Sequence, residues 1–162
     1  MRPVTESDIP TVAKLYGDPE LTQYFEDGKP KSYEKVALYV REMGICRFES
    51  GNPFGVFSVV ENETGKLMGQ CDILPYDGNE AVIEIAYIIF KEFQGRGFGS
   101  EIAQAAKEYV EQSERRVEKL VATAHPENKP SWKILEKLGM VCTKEFEKFG
   151  QTRKFYELKI GH

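Results

Sequence analysis

Apolar residues recur along this chain in two different periods, and the places where the period changes divide it into elements. Ile9, Val12, Ala13 and Tyr16 fall on one side of a 3.6-residue repeat behind Thr5-Glu6-Ser7-Asp8, which predicts a helix with one inward face. Gly17-Asp18-Pro19 ends it. Val36, Val40 and Met43 take up the same period and predict a second helix from Ser32 to about Phe48. The period then shortens to that of strands. Phe54 to Glu61 is rich in Val and Phe, Asn62-Glu63-Thr64-Gly65 has the composition of a tight turn, and Lys66 to Leu74 returns. After Pro75-Tyr76-Asp77-Gly78-Asn79, the longest apolar stretch, Ala81 to Phe90, predicts a buried central strand.

The second half alternates strand and helix. A helix is expected from Glu101 to about Gln112, with Ile102, Ala106 and Tyr109 in one stripe. Val117 to Ala124 predicts another buried strand. Ser131 to Leu138 predicts a short helix stopped by Gly139. Val141 to Glu147 and Arg153 to Ile160 predict two antiparallel strands around Gly150. Helices, then antiparallel strands, then a β-α-β unit describe one α/β domain (an α+β mixed sheet) with helices packed on it, spanning residues 1–162.

Composition narrows the function. At 162 residues the chain has the length of one domain, and such a domain buries roughly 70% of its unfolded surface without needing a disulfide or metal staple. The 22 basic against 26 acidic residues give a net charge of −4, so no nucleic-acid or membrane-surface partner is expected. Cys46, Cys71 and Cys142 are scattered and odd in number, as in reduced cytosolic proteins, and a polar N-terminus shows no secretory signal; a cytoplasmic location is expected. With two histidines, no metal site is expected.

The sharpest chemical feature is a strand followed by Gln94-Gly95-Arg96-Gly97-Phe98-Gly99-Ser100 and a helix. Glycines let backbone approach a ligand, and the free N–H groups and dipole of a helix start favour an anion. A phosphate loop of the Walker type needs Gly-Lys before Ser or Thr, and none is present. The dinucleotide fingerprint needs a third glycine where Ser100 stands. The kinase glycine loop would need catalytic segments that the chain lacks.

Gln94-x-x-Gly97-x-Gly99 after a long apolar strand resembles the coenzyme A pyrophosphate loop of the GNAT N-acetyltransferase superfamily. Glu84 through Glu101 resembles that family across strand, loop and helix. Downstream, Pro126-Glu127-Asn128-x-x-Ser131 with Leu135-Glu136-Lys137-Leu138-Gly139 is similar to the branch of the ribosomal-protein N-acetyltransferases (RimJ/RimL-like), as is the opening Arg2-Pro3-Val4-Thr5-Glu6.

That resemblance implies a mostly antiparallel sheet whose one parallel pair, residues 81–90 and 117–124, splays to admit acetyl-CoA. It implies that the backbone of Ile88, Ile89 and Phe90 pairs with the pantetheine arm. The loop of Gln94, Gly95, Arg96, Gly97, Phe98, Gly99 and Ser100 would hold the pyrophosphate, with Asn128, Ser131 and Lys133 as further cofactor contacts. The implied reaction is direct acetyl transfer to an amine. A lysine amine is almost wholly charged at pH 7, so a base is useful, and Glu84, inside the apolar strand, is the candidate. His125, at the end of the partner strand, reads as a loop residue. A backbone N–H near Ile89 would stabilise the oxyanion. Many relatives place an acidic tyrosine where this chain has Leu135; Ser131 is the candidate substitute. The resemblance also implies a strand before Arg2-Pro3, for which a start at Met1 leaves almost no room.

Acceptor specificity is expected from residues 18–50 and the turns at 75–80 and 148–152. These hold Asp18, Glu20, Glu26, Asp27, Asp77 and Glu80, with Tyr24, Phe25, Tyr33 and Tyr76 as candidate walls. The acceptor is expected to be a small-molecule amine or a protein N-terminus, and the protein a monomer or homodimer. The alternatives are a non-catalytic acetyl-CoA-binding sensor or interaction module, and a nucleotide-binding regulatory domain.

Overall fold

Strand alternation sorts side chains onto two faces, and both faces are apolar enough to need covering. Val56–Val60 (β2), Leu67–Tyr76 (β3) and Asn79–Ile89 (β4) form an antiparallel meander in the computed structural model, which describes residues 1–161. Arg2–Pro3 (β1) adds a short edge by pairing with Ser58 and Phe57. The strand expected ahead of Arg2-Pro3 is found instead at Arg2 and Pro3 themselves, just before the chain enters the first helix. Lys119–Ala124 (β5), Val141–Lys148 (β6) and Gln151–Lys159 (β7) complete seven strands in the order β1-β2-β3-β4-β5-β7-β6. The last hairpin folds back so that β7, with buried Phe155 and Tyr156, lies against β5, while β6, largely exposed, forms the edge. Every pairing is antiparallel except that of β4 with β5.

Ile9–Gly17 (α1), Pro19–Thr22 (α2) and Tyr33–Tyr39 (α3) belong to one side of the sheet. Ile9, Val12 and Leu15 from α1 and Val36 from α3 pack there with Val40, Val56 and Ile88. Asp18 caps α2 through Glu20 N–H, and Ser32 caps α3 through Lys35 N–H, as short polar side chains do at helix starts. From α3 the chain continues helically through a π turn, Val40–Ile45, into Cys46–Glu49 (α4). The predicted helix is thus present, with a wider turn that its periodicity did not disclose. Gly44 sits in that turn; a Cβ there would fall 2.4 Å from a Val4 methyl, so the missing side chain lets the helix approach the sheet.

Phe98–Glu111 (α5) and Lys129–Lys137 (α6) cover the other face. Ile102, Ala106 and Val110 of α5 and Leu135 of α6 join Cys71, Ile73, Ile83 and Ile85 in the larger core. The helix starts three residues before the predicted Glu101, because Gly97 at φ 84° turns the chain into it at once. Among the described residues, no helix is long and apolar enough to cross a membrane.

One break in this sheet matters most. β4 and β5 pair at Val82–Lys119, Ile83–Leu120 and Glu84–Val121, and no further. Beyond that point β4 stays bonded to β3 as far as Ile89, and β5 to β7 as far as Ala124. Two strands that both remain in a sheet, yet no longer bond each other, leave an opening between them.

Candidate active site

The opening continues into a cavity of about 500 Å³. Its walls include Tyr87, Ile88 and Ile89 of β4, Gln94, Gly95, Gly97, Gly99 and Ser100 of the glycine loop, and Asn128, Ser131 and Lys133 around the start of α6. The sequence-predicted residues thus converge from three separate stretches. Gly95 and Gly97 have φ of 72° and 84°, a region side-chain-bearing residues rarely enter, and a Cβ at either would project into open space. This is the cradle a diphosphate needs: unobstructed backbone at the N-terminus of a 14-residue helix. The Gln94 side chain fastens the loop to the strand by donating from Nε2 to the Ile89 carbonyl at 3.0 Å.

The backbone of β4 corrects one expectation. Phe90 N–H donates to the Met68 carbonyl at 3.0 Å, and the Ile88 carbonyl lies against Gly69. Both groups are therefore turned toward β3. Peptide groups alternate along a strand, so Ile89 is the residue of the three whose N–H and C=O face the opening. The side chains of Arg96 and Phe98 do not line the cavity. Arg96 pairs with Glu61 at 3.3 Å and lies over the Phe98 ring at 4.9 Å, a position on the outer side of the loop.

On the far face of β4 the opening meets a second cavity, of about 190 Å³, lined by Glu84, Ala86, Thr123, Asp72, Lys148 and Phe149 among others. Glu84 is half-buried there. Burial pushes its carboxyl pKa up; Lys148 pulls the other way, and Asp72 and Asp77 push with it. A third cavity, of about 240 Å³, adjoins the second and shares Phe25, Glu26, Tyr39 and Asp72 with it. Asp72 stands opposite Ala86 in the β3–β4 register, so both project to this face. Its carboxylate accepts hydrogen bonds from the Tyr39 hydroxyl at 2.5 Å and Gln70 Nε2 at 2.7 Å. Burial raises its pKa to about 6, more than those two donors lower it.

Of the acidic residues expected around the acceptor, Glu26 alone lines these cavities. Asp27 is held by Lys31, Glu20 by Lys91 and Glu80 by Arg47, while Asp18 caps α2 and Asp77 occupies the β3–β4 turn at φ 49°. Of the expected aromatic walls, Phe25 is in place. Tyr33 is exposed, Tyr24 stacks on His125, and Tyr76 packs on Phe155. His125 accepts from Glu127 N–H, which fits its reading as a loop residue.

Three side chains that line these cavities escaped the sequence reading: Asp72, Tyr39 and Tyr87. The Tyr87 hydroxyl is buried in the cofactor-side cavity without a hydrogen-bond partner of good geometry. Burial pushes its pKa to about 12, with Ser131 near enough to pull it down. Leu135, where many relatives have an acidic tyrosine, is core. The signal for Tyr87 was its place in β4 three residues after Glu84, but strand alternation alone cannot tell a core tyrosine from one whose hydroxyl reaches a cavity.

A family model described as acetyltransferase (GNAT) domain matches residues 1–141. An uncharacterised protein of Bacillus subtilis, YkkB, is 30% identical over 90% of this chain and 82% of its own length. The spermidine N-acetyltransferase of Vibrio cholerae, solved with CoA and spermine, superposes with a TM-score of 0.81 at 20% identity, over 98% of this chain and 94% of that one. RimL, a ribosomal L7/L12 α-N-protein acetyltransferase solved with CoA, gives 0.80 at 16%, over 98% and 92%. At such identities the two structures speak to the fold.

Proposed function

We propose that this chain, which belongs to the GNAT acetyltransferase family and is an acyltransferase by that membership, moves acetyl from acetyl-CoA directly to a primary amine. The observation that carries this reading is the parting of β4 from β5 beyond Glu84, directly beside a glycine loop that opens α5. The amides from Gly95 to Ser100 would hold the pyrophosphate, the Ile89 peptide group the pantetheine arm, and Asn128 and Lys133 the remaining cofactor contacts. The cosubstrate supplies an activated acetyl group as a thioester.

The protein's own part is proton handling and positioning. Glu84 takes a proton from the ammonium, directly or through a water, and burial, by raising its pKa, makes it a stronger base than an exposed carboxylate. The free amine forms a C–N bond to the acetyl carbon, the C–S bond breaks and the thiolate leaves with the electron pair, and the proton in excess on the new amide nitrogen passes to that thiolate through Tyr87, Ser131 or a water. Tyr87 and Ser131 stand on the cofactor side and supply the thiolate with a hydrogen bond or proton. A thiol pKa of about 8.5 asks little of that acid.

The test is thermal unfolding with acetyl-CoA, ATP or NAD, followed by release of free thiol with amines. Acetyl-CoA at 100 times its Kd should stabilise by about 2.7 kcal/mol. Glu84→Gln should keep that stabilisation and lose turnover by roughly 100-fold or more. A shift with ATP or NAD in place of acetyl-CoA would sink the reading. Acetyl-CoA binding with no turnover for any amine would leave a sensor instead of an enzyme.

A further inference from the structure

The two cavities on the α1/α3 face hold a buried carboxylate that has no ion-pair partner among the described residues. Asp72 is 7% exposed, and both its hydrogen bonds come from neutral donors, the Tyr39 hydroxyl and the Gln70 amide. No cationic side chain among the described residues lies within ion-pair distance of it. The nearby cations are otherwise engaged. Lys31 is bound by Glu26 at 3.0 Å and Asp27 at 2.7 Å. Arg153 donates to the carbonyls of Tyr24 and Glu26. Lys148 sits over the rings of Tyr76 and Phe149, and Lys35 is exposed at the rim. A buried carboxylate without a counter-ion is costly, and the cost is relieved when a cation enters beside it.

The surroundings say which kind of cation. Tyr16, Phe25 and Tyr39 line the 240 Å³ cavity with Val36, and the first two rings meet edge to face at 5.5 Å. Aromatic walls with one carboxylate suit an organic ammonium, which gains from ring faces and from the anion together. The adjoining 190 Å³ cavity leads from Asp72 to Glu84 and to the strands that part. A short acceptor can therefore place one nitrogen near Glu84 and a second positive charge beside Asp72.

We propose that these joined cavities select an acceptor amine that carries a second cationic group a few bonds away, with Asp72 as the anchor of that group and Tyr16, Phe25 and Tyr39 as its walls. The assignment rests on the transferase reading above and deepens it by naming the acceptor's charge pattern. A second carboxylate on the acceptor would be repelled, and a plain monoamine would leave Asp72 unpaired.

The experiment compares 1,4-diaminobutane, 1-aminobutane and 4-aminobutanoate as acceptors with the purified protein and acetyl-CoA, following released CoA. The diamine should exceed the monoamine in kcat/KM by roughly 10–100-fold, and the amino acid should be poorest. Asp72→Asn should collapse the ratio of diamine to monoamine toward one, mainly through KM. Retention of the thermal shift by acetyl-CoA shows that this variant is folded. Equal use of all three acceptors, a preference for 4-aminobutanoate, or an Asp72→Asn loss that is the same for every acceptor would overturn the assignment. If no amine turns over, calorimetry of each amine against the acetyl-CoA-loaded wild type still decides it. Binding of the diamine without binding of the monoamine upholds the cation site while the transferase reading falls, and binding of neither ends the proposal.

Discussion

At the scale of single residues, function here is stored as unfavourable burial. Asp72 has a folded pKa of about 6 against about 3.9 in an unfolded chain. A carboxylate raised in this way contributes stability below the unfolded value, and that contribution is lost as pH rises through about 6. At pH 8 the ionised form costs the fold about 3 kcal/mol. Tyr16 from α1, Tyr39 from α3, Glu26 from the loop after α2, and Cys71 and Glu84 from the strands are neutral or acidic, while Lys31, Lys35, Lys148 and Arg153, which line the same cavities, form no ion pair with it. Asp72→Asn should therefore raise the melting temperature at pH 8, with the gain shrinking toward zero near pH 4. A gain independent of pH would show that Asp72 titrates in the fold as it does in the unfolded chain. Tyr87 makes a parallel case on the other face. Its orphaned hydroxyl gains nothing for the fold, so Tyr87→Phe should be neutral or slightly stabilising in thermal unfolding, yet lower kcat by roughly 10-fold or more while acetyl-CoA affinity is kept. An unchanged kcat would remove Tyr87 from the proton path and leave Ser131 or a water.

At the scale of elements, most of the fold was legible because each segment repeats one period. The helices at residues 9–17 and 98–111, the β3–β4 meander and the glycine loop all follow from spacing, glycine placement and β-branched content. The acceptor side was not legible in the same way. Asp72 sits in the stretch Gly69-Gln70-Cys71-Asp72-Ile73, where alternation places it on the face opposite Cys71 and Ile73 but cannot say what covers that face. The cover is Tyr39, distant in sequence and positioned where α3 passes into a π turn, an irregularity often found at functional sites. Gly69 shows how closely two elements can depend on an absent side chain. A Cβ there would stand 2.4 Å from the Ile88 carbonyl, which is rigid strand backbone. Gly69→Ala should push β4 away from β3 next to the cleft, cost about 1–3 kcal/mol in denaturant unfolding, and weaken acetyl-CoA binding more than a distant substitution of equal cost. Wild-type stability and affinity in that variant would mean that the strands have slack at this point.

At the scale of the whole molecule, the acceptor side is tied to the sheet by one buried carboxylate whose pH behaviour is the reverse of Asp72's. Asp8, just before α1, accepts from the Arg2 guanidinium at 2.7 and 2.9 Å, from Thr5 N–H and hydroxyl, and from the Ser58 hydroxyl on β2. Burial alone would raise its pKa, but those donors outweigh burial and hold it at about 2. A depressed carboxylate contributes stability above its unfolded value near 3.9, and that contribution is lost as pH falls through about 2. The exposed Arg41–Glu6 pair nearby adds little, because water screens it. Asp8→Asn removes the charge while leaving most of the shape, and should cost about 3 kcal/mol at pH 7, the low end for breaking a buried pair whose arginine is half exposed. The melting temperatures of variant and wild type should converge as the pH is taken below 4, since the wild-type carboxylate is then being protonated. Because α1 carries Tyr16 into the acceptor cavity, the same variant at pH 7 should lose acceptor affinity before it loses acetyl-CoA affinity. A constant gap between the two melting curves from pH 7 to pH 3 would mean that shape, not charge, is what Asp8 contributes. Loss of both affinities together would mean that the two sides of the sheet unfold as one unit.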